Sequence, residues 1–144
     1  MPGEERRSAP NVHTTEFTVE FGDCDPARIV FYPNFFRWMD SAARHYFEAA
    51  GLPSWRETEA TDGIIGAPLV DASARFRAPA SYGDRIAVES SIAEWRGRSF
   101  VMRHLIRRGG EYLATNTVCS GPNTNPWRAE ATDRRLEPGD LVYV

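Results

Sequence analysis

The chain has 144 residues, 42% of them hydrophobic and 26% charged, with a formal net charge of -3. That length suffices for one domain burying roughly 70% of its unfolded surface, so a core is expected without disulfides or metals to hold it together. The mildly acidic balance, with no basic stripe carrying interleaved aromatics, argues against nucleic acid as a partner, and nothing is basic enough for a membrane surface.

All 17 basic residues are arginine, so any phosphate recognition must use planar guanidinium forks. Cys24 and Cys119 are the two cysteines, the N-terminus carries no signal-like apolar run, and no stretch approaches the roughly 20 apolar residues of a membrane span. A reduced, cytoplasmic protein is expected. The opening "MPGEERRSAPN" is polar and proline-bearing, so residues 1–12 read as a disordered tail ahead of a single domain over 13–144.

In chain order, "TTEFTVEF" (14–21) alternates and suits a half-buried strand ending at Gly22. From Pro33 to Ala50 the pattern is helical: Phe35, Met39, Ala42 and Tyr46 form one stripe, with Phe36, Ala43, Phe47 and Ala50 beside it. Gly51 and Pro53 form a stop signal. An apolar surface this wide implies a helix covered on much of its circumference, as when a sheet wraps it. After an irregular stretch come four strand candidates, 67–78, 84–95, 98–108 and 111–121. "RG" at 96–97 and "GG" at 109–110 read as hairpin turns, so the four are expected to form an antiparallel meander. One strand, one long helix and four more strands make an α+β fold. The proline-rich segment from 122 onward supports no assignment.

Several residues invite chemistry. Cys24 has no base supplied by any nearby motif and reads as a small buried hydrophobe. Asp23 and Asp25, without histidine or further carboxylates, make a poor metal site, and Asp23 reads as an acceptor for loop amides or the helix. His13, His45 and His104 lack the spacing of metal ligands or a triad and read as structural. Trp55 and Trp95 suit either a pocket wall or the core. Asp40 interrupts the stripe of Phe36, Ala43 and Phe47; an ion pair with Arg37 or Arg44 and a functional role both fit. No cofactor motif is visible.

The run "GDCDPARIVFYPNFFRWMD", with "GLPSWRET", "GIIGAPLV", "ASYGDR" and "EWRGRSF", resembles the hotdog-fold 4-hydroxybenzoyl-CoA thioesterase family over about residues 14–120. The resemblance implies a curved antiparallel sheet of about five strands wrapped around one long helix, and a homodimer or homotetramer with active sites at subunit interfaces. It implies an acyl-CoA thioesterase taking an aromatic, 4-hydroxybenzoyl-like substrate, with Asp25 as catalytic carboxylate, either nucleophile or general base. The match to this Asp-based motif argues against the histidine-and-acid chemistry of hotdog dehydratases. Backbone N–H groups around Tyr32 to Phe35, at the helix N-terminus, suit a developing oxyanion, and Tyr32 enters through its backbone more than its hydroxyl. By the same resemblance Asp40 recognises a ring hydroxyl, and Arg96, Arg98 and Ser99 meet the nucleotide end of coenzyme A. Arg28 departs from the pattern, since the family commonly has glycine there; either the loop sits differently or the pocket is partly covered, or Arg28 faces solvent or reaches toward an anionic group on the substrate. An acyl carrier protein thioesterase and a non-catalytic acyl-CoA binding protein are the alternatives.

Overall fold

Residues 11–120 are described by the computed structural model, and they form five strands and two α-helices. The strands are β1 (His13–Thr18), β2 (Leu69–Phe76), β3 (Arg85–Trp95), β4 (Phe100–Arg108) and β5 (Glu111–Ser120); the helices are α1 (Pro33–Ala49) and α2 (Trp55–Asp62). The expected tail falls, except for its last two residues, outside the described residues, as does everything after Ser120.

All pairings are antiparallel and the strand order is β1-β3-β4-β5-β2. Only β3, β4 and β5 form the expected meander; β2 pairs with β5 at the far edge and not with β3. The reason lies at the other edge. β1 already occupies the free side of β3, an attachment extended by Val19 donating to Asp84 O at 2.8 Å and Gly83 donating to Val19 O at 2.9 Å. The turn at Gly109 and Gly110 joins β4 to β5, with Gly109 in the left-handed region at φ 57°. The other expected two-residue turn is a four-residue loop, 96–99, closed by Arg96 N–H donating to Ser99 O at 2.8 Å.

Pro33 opens α1 at a position where its missing N–H deprives the helix of nothing. Phe35, Trp38, Met39, Ala42 and Tyr46 are the residues it buries. The first four join Ile86, Val88, Ile106, Leu113 and Ala114 of the sheet in one core. Each large apolar side chain so buried contributes about 1.5–3 kcal/mol. The second apolar stripe, Phe36, Ala43 and Phe47, faces a cavity of about 350 Å³ between the helix and β2, β4 and β5. One helix cradled by a five-stranded antiparallel sheet is the hotdog fold. α2 falls in the stretch expected to be irregular. Ser54 and Glu57 cap it reciprocally, and Gly63 ends it at φ 69°.

Candidate active site

The segment between β1 and α1 carries the expected catalytic acid, and Asp23 fixes its course. A single 3₁₀ turn, Phe21–Asp23, brings Asp23 inward to 8% exposure. Its Oδ2 accepts the Glu20 N–H at 2.8 Å and its Oδ1 receives the Arg37 guanidinium at 2.7 Å. Its carbonyl accepts from the Phe31 N–H at 2.9 Å and from Asn34 Nδ2 at 2.8 Å. Asp23 is therefore a structural acceptor that ties the loop to the first turns of α1.

Two residues on, the chain turns back on itself. Cys24 bridges to Val30, Asp25 N–H donates to Ile29 O at 2.9 Å, and Arg28 N–H donates to Asp25 O at 2.8 Å. Asp25 Oδ1 accepts the Ala27 N–H at 2.8 Å, while Oδ2 has no partner among the described residues. One oxygen orients the half-buried carboxylate and the other is available to a substrate or a water. Arg28 completes the turn at φ 65°, in the left-handed region that glycine occupies more comfortably than arginine. Asp25 and Arg28 line an open cavity with Phe21, Cys24, Pro26 and Tyr82. The Cys24 thiol lies 3.9 Å from Glu20 O, and no basic side chain hydrogen-bonds to it among the described residues.

At the helix N-terminus the expectation of several free amides narrows to one. Asn34 N–H donates to Phe31 O at 2.9 Å, Phe35 N–H donates to Tyr32 O at 3.1 Å, and Pro33 has no N–H. The Tyr32 N–H is left without a partner among the described residues. Its side chain is 60% exposed, packs edge-on against Phe31 and Phe76, and borders a separate cavity with Ile29, Phe35 and Arg77.

Asp40 has no hydrogen bond or ion pair among the described residues. Both candidate partners are engaged elsewhere: Arg37 with Asp23 at 2.7 Å and Arg44 with Glu48 at 2.7 Å. Asp40 lines the 350 Å³ cavity together with Phe36, Ala43, Phe47 and Trp55. Within one chain, then, Asp25, Tyr32 and Asp40 border three different cavities.

The loop 96–99 lies beyond the same end of the sheet as Phe100, which lines the Asp40 cavity and contacts Phe47 at a ring distance of 5.7 Å. Arg96 makes a two-pronged pair with Glu94, at 2.9 and 3.0 Å, whereas Arg98 is exposed and has no ion pair among the described residues. Ser99 is half-buried. Trp55 belongs to the cavity wall; Trp95, 71% exposed, instead packs on Phe100. His104 and Asn116 also line this cavity. Burial pushes His104 down to about 4, so its imidazole is neutral at neutral pH. Sequence reasoning passed over Asn116. The available signal was a polar residue on the same strand phase as buried Ala114, beside a histidine on the same phase as Met102 and Ile106.

A hotdog sheet and helix, with a carboxylate held on the loop that enters the helix, form the kind of framework that a hydrolase of the thioesterase type uses. The chain belongs to the thioesterase-like superfamily, whose family model matches residues 19–121. It is 50% identical over 95 residues to a 4-hydroxybenzoyl-CoA thioesterase of Pseudomonas sp. (strain CBS-3), covering 66% of this chain and 67% of that protein. It is 34% identical over 106 residues to a 1,4-dihydroxy-2-naphthoyl-CoA hydrolase of Prochlorococcus marinus (strain MIT 9303), covering 69% of each. Among solved structures, the 4-hydroxybenzoyl CoA thioesterase from Pseudomonas sp. strain CBS-3 superposes with a TM-score of 0.73 at 43% identity, over 76% of this chain and 83% of that one. A mutant of a 4-hydroxybenzoyl CoA thioesterase, solved in complex with 4-hydroxybenzoyl CoA, also gives 0.73 and 43%, over 76% and 82% of the two chains.

Proposed function

We propose that this chain hydrolyses an aryl-CoA thioester of the 4-hydroxybenzoyl kind, releasing the free acid and coenzyme A. The observation that carries the reading is Asp25, oriented by the Ala27 amide through one oxygen and unpartnered at the other among the described residues. Attack by that oxygen on the thioester carbon expels the CoA thiolate and leaves an acyl-aspartyl anhydride, which water then opens. Alternatively, the same oxygen takes a proton from an attacking water. The Tyr32 amide, without a partner among the described residues, stabilises the oxyanion, and its position at the positive end of α1 adds to that.

Asp40, with no partner among the described residues, accepts a hydrogen bond from the ring hydroxyl. Arg98, with Arg96 and Ser99, meets the nucleotide end of coenzyme A. Asp25 and Asp40 border different cavities of one chain, which favours a substrate held between two copies. The exposed edge strand β2, with Leu69, Val70 and Phe76 uncovered, supports such a dimer or a tetramer built from it. We take 13–144 as one domain, supported by the single core among the described residues, and place the enzyme in the cytoplasm, where CoA thioesters are made and used. No helix among the described residues is long and apolar enough to cross a membrane.

A panel of aromatic and aliphatic thioesters, each on CoA and on acyl carrier protein, tests the reading. The expected result is the highest kcat/KM on an aryl-CoA. Preference for the carrier would favour a biosynthetic role, and binding without turnover would make the chain an acyl-CoA binding protein.

A further inference from the structure

The cavity at Asp25 holds two opposite charges that do not pair. Among the described residues its walls are Phe21, Cys24, Asp25, Pro26, Arg28 and Tyr82, bounding a space of about 580 Å³. Asp25 and Arg28 belong to one turn, in which the Arg28 N–H donates to Asp25 O at 2.8 Å, yet their side chains form no ion pair. Asp25 Oδ1 takes the Ala27 amide, and the Arg28 guanidinium has no partner among the described residues. The arginine is also held at φ 65°, where a residue with a Cβ is strained, and such strain clusters where a ligand or a reaction makes use of it. Phe21 and Tyr82, both mostly exposed, meet edge-on at a ring distance of 6.1 Å and make much of the remaining wall apolar.

An unpaired guanidinium in a cavity selects an anion, and the two oxygens of a carboxylate match its forked geometry. The substrate brings no anion to this point, because a thioester is neutral at the carbon that Asp25 attacks. The product does. Hydrolysis breaks the acyl C–S bond, joins an oxygen from water to the same carbon, leaves the sulfur as a thiol and releases one proton to solvent. The acyl carbon therefore ends as a carboxylate, ionised at neutral pH. That anion forms beside Asp25, and two carboxylates in one cavity repel each other. Arg28, lining the same cavity, supplies the compensating charge. A contact made to the product and not to the thioester holds the product more tightly and slows its release.

We propose that Arg28 holds the carboxylate of the free acid after hydrolysis, so that the acid feeds back on the enzyme by occupying the Asp25 cavity. This deepens the aryl-CoA reading and rests on it. Initial rates on 4-hydroxybenzoyl-CoA are measured for the wild type, Arg28→Gly and Arg28→Gln, with 4-hydroxybenzoate or its uncharged counterpart 4-hydroxybenzamide as inhibitor. Calorimetry gives the dissociation constants of both compounds directly. The acid is expected to inhibit the wild type, and either substitution to raise its inhibition constant by about tenfold while leaving that of the amide unmoved. A general loss of fold or of ring binding would shift acid and amide together, so it does not imitate this result. If the two compounds weaken together, or neither moves, Arg28 does not hold the product and the proposal is overturned, while turnover of the CoA thioester keeps the catalytic reading. If no aryl-CoA is hydrolysed yet the dissociation constant of the acid alone rises when Arg28 is lost, the anion subsite stands and the catalytic reading fails. If neither turnover nor that selective rise is seen, both fail.

Discussion

Arg28 holds a φ of 65° that an L-residue adopts at an energetic disadvantage of about 1 kcal/mol relative to glycine. Since its side chain is exposed and has no ion pair among the described residues, Arg28→Gly is expected to keep or raise thermal stability; a drop in melting temperature would show that the guanidinium holds the loop. Asp40 poses a different question. The sequence left it between an ion pair and a ring contact, because arginines stand at helical neighbour spacing on both sides. Only the fold reveals that Asp23, distant in sequence, captures Arg37. A hydrogen bond to a charged group is worth about 1.5–3 kcal/mol, so Asp40→Ala should cut the preference for 4-hydroxybenzoyl- over benzoyl-CoA by roughly ten- to a hundredfold. An unchanged ratio would remove Asp40 from recognition. His104 sets a pH dependence. Burial lowers it from 6.5 to about 4, so between those values the unfolded chain binds more protons than the folded one. Its contribution is complete above about pH 6.5 and is lost as pH falls through about 4, by about 3 kcal/mol in all. Chemical denaturation across that window should show a steeper loss for the wild type than for His104→Gln; equal slopes would contradict a buried neutral imidazole.

At the scale of elements, the helix and the five strands were legible because periodicity survives in sequence: the apolar stripe of α1 and the alternation of β3 and β4 are local patterns. The place of β2 was not, since nothing local says which edge a strand joins once β1 has taken one. α2 was legible in principle. Its Ser54–Glu57 capping box is a short-range signal, but a helix burying no residue gives no periodic stripe to accompany it. One tie between the loop carrying Asp25 and α1 is Arg37 on Asp23, a largely buried carboxylate that keeps one other donor, the Glu20 N–H, when the arginine is removed. Arg37→Met is therefore expected to lower stability by only about 1 kcal/mol. It should lower kcat by roughly tenfold, because a small misplacement of the reacting group is expensive in rate. A large unfolding effect with normal kcat in the folded fraction would show that the pair braces the fold and not the loop.

For the whole molecule, the sheet and helix form a complete core within one chain, while the proposed site does not: Asp25 and Asp40 open onto different cavities. This division explains what sequence could carry. The motif around Asp25 pointed to the proposed acid and its loop, whose hydrogen bonds are nearly all local; the proposed ring-binding end depends on side chains brought together from α1, β4 and β5. The account stands or falls on Asp25. The most direct measurement is steady-state turnover of 4-hydroxybenzoyl-CoA by Asp25→Asn beside Cys24→Ala, with substrate affinity measured separately. Asp25→Asn is predicted to lower kcat by roughly 10²- to 10⁴-fold or more with affinity retained, and Cys24→Ala to keep most activity. Near wild-type turnover in Asp25→Asn, or a collapse in Cys24→Ala, would contradict the central claim.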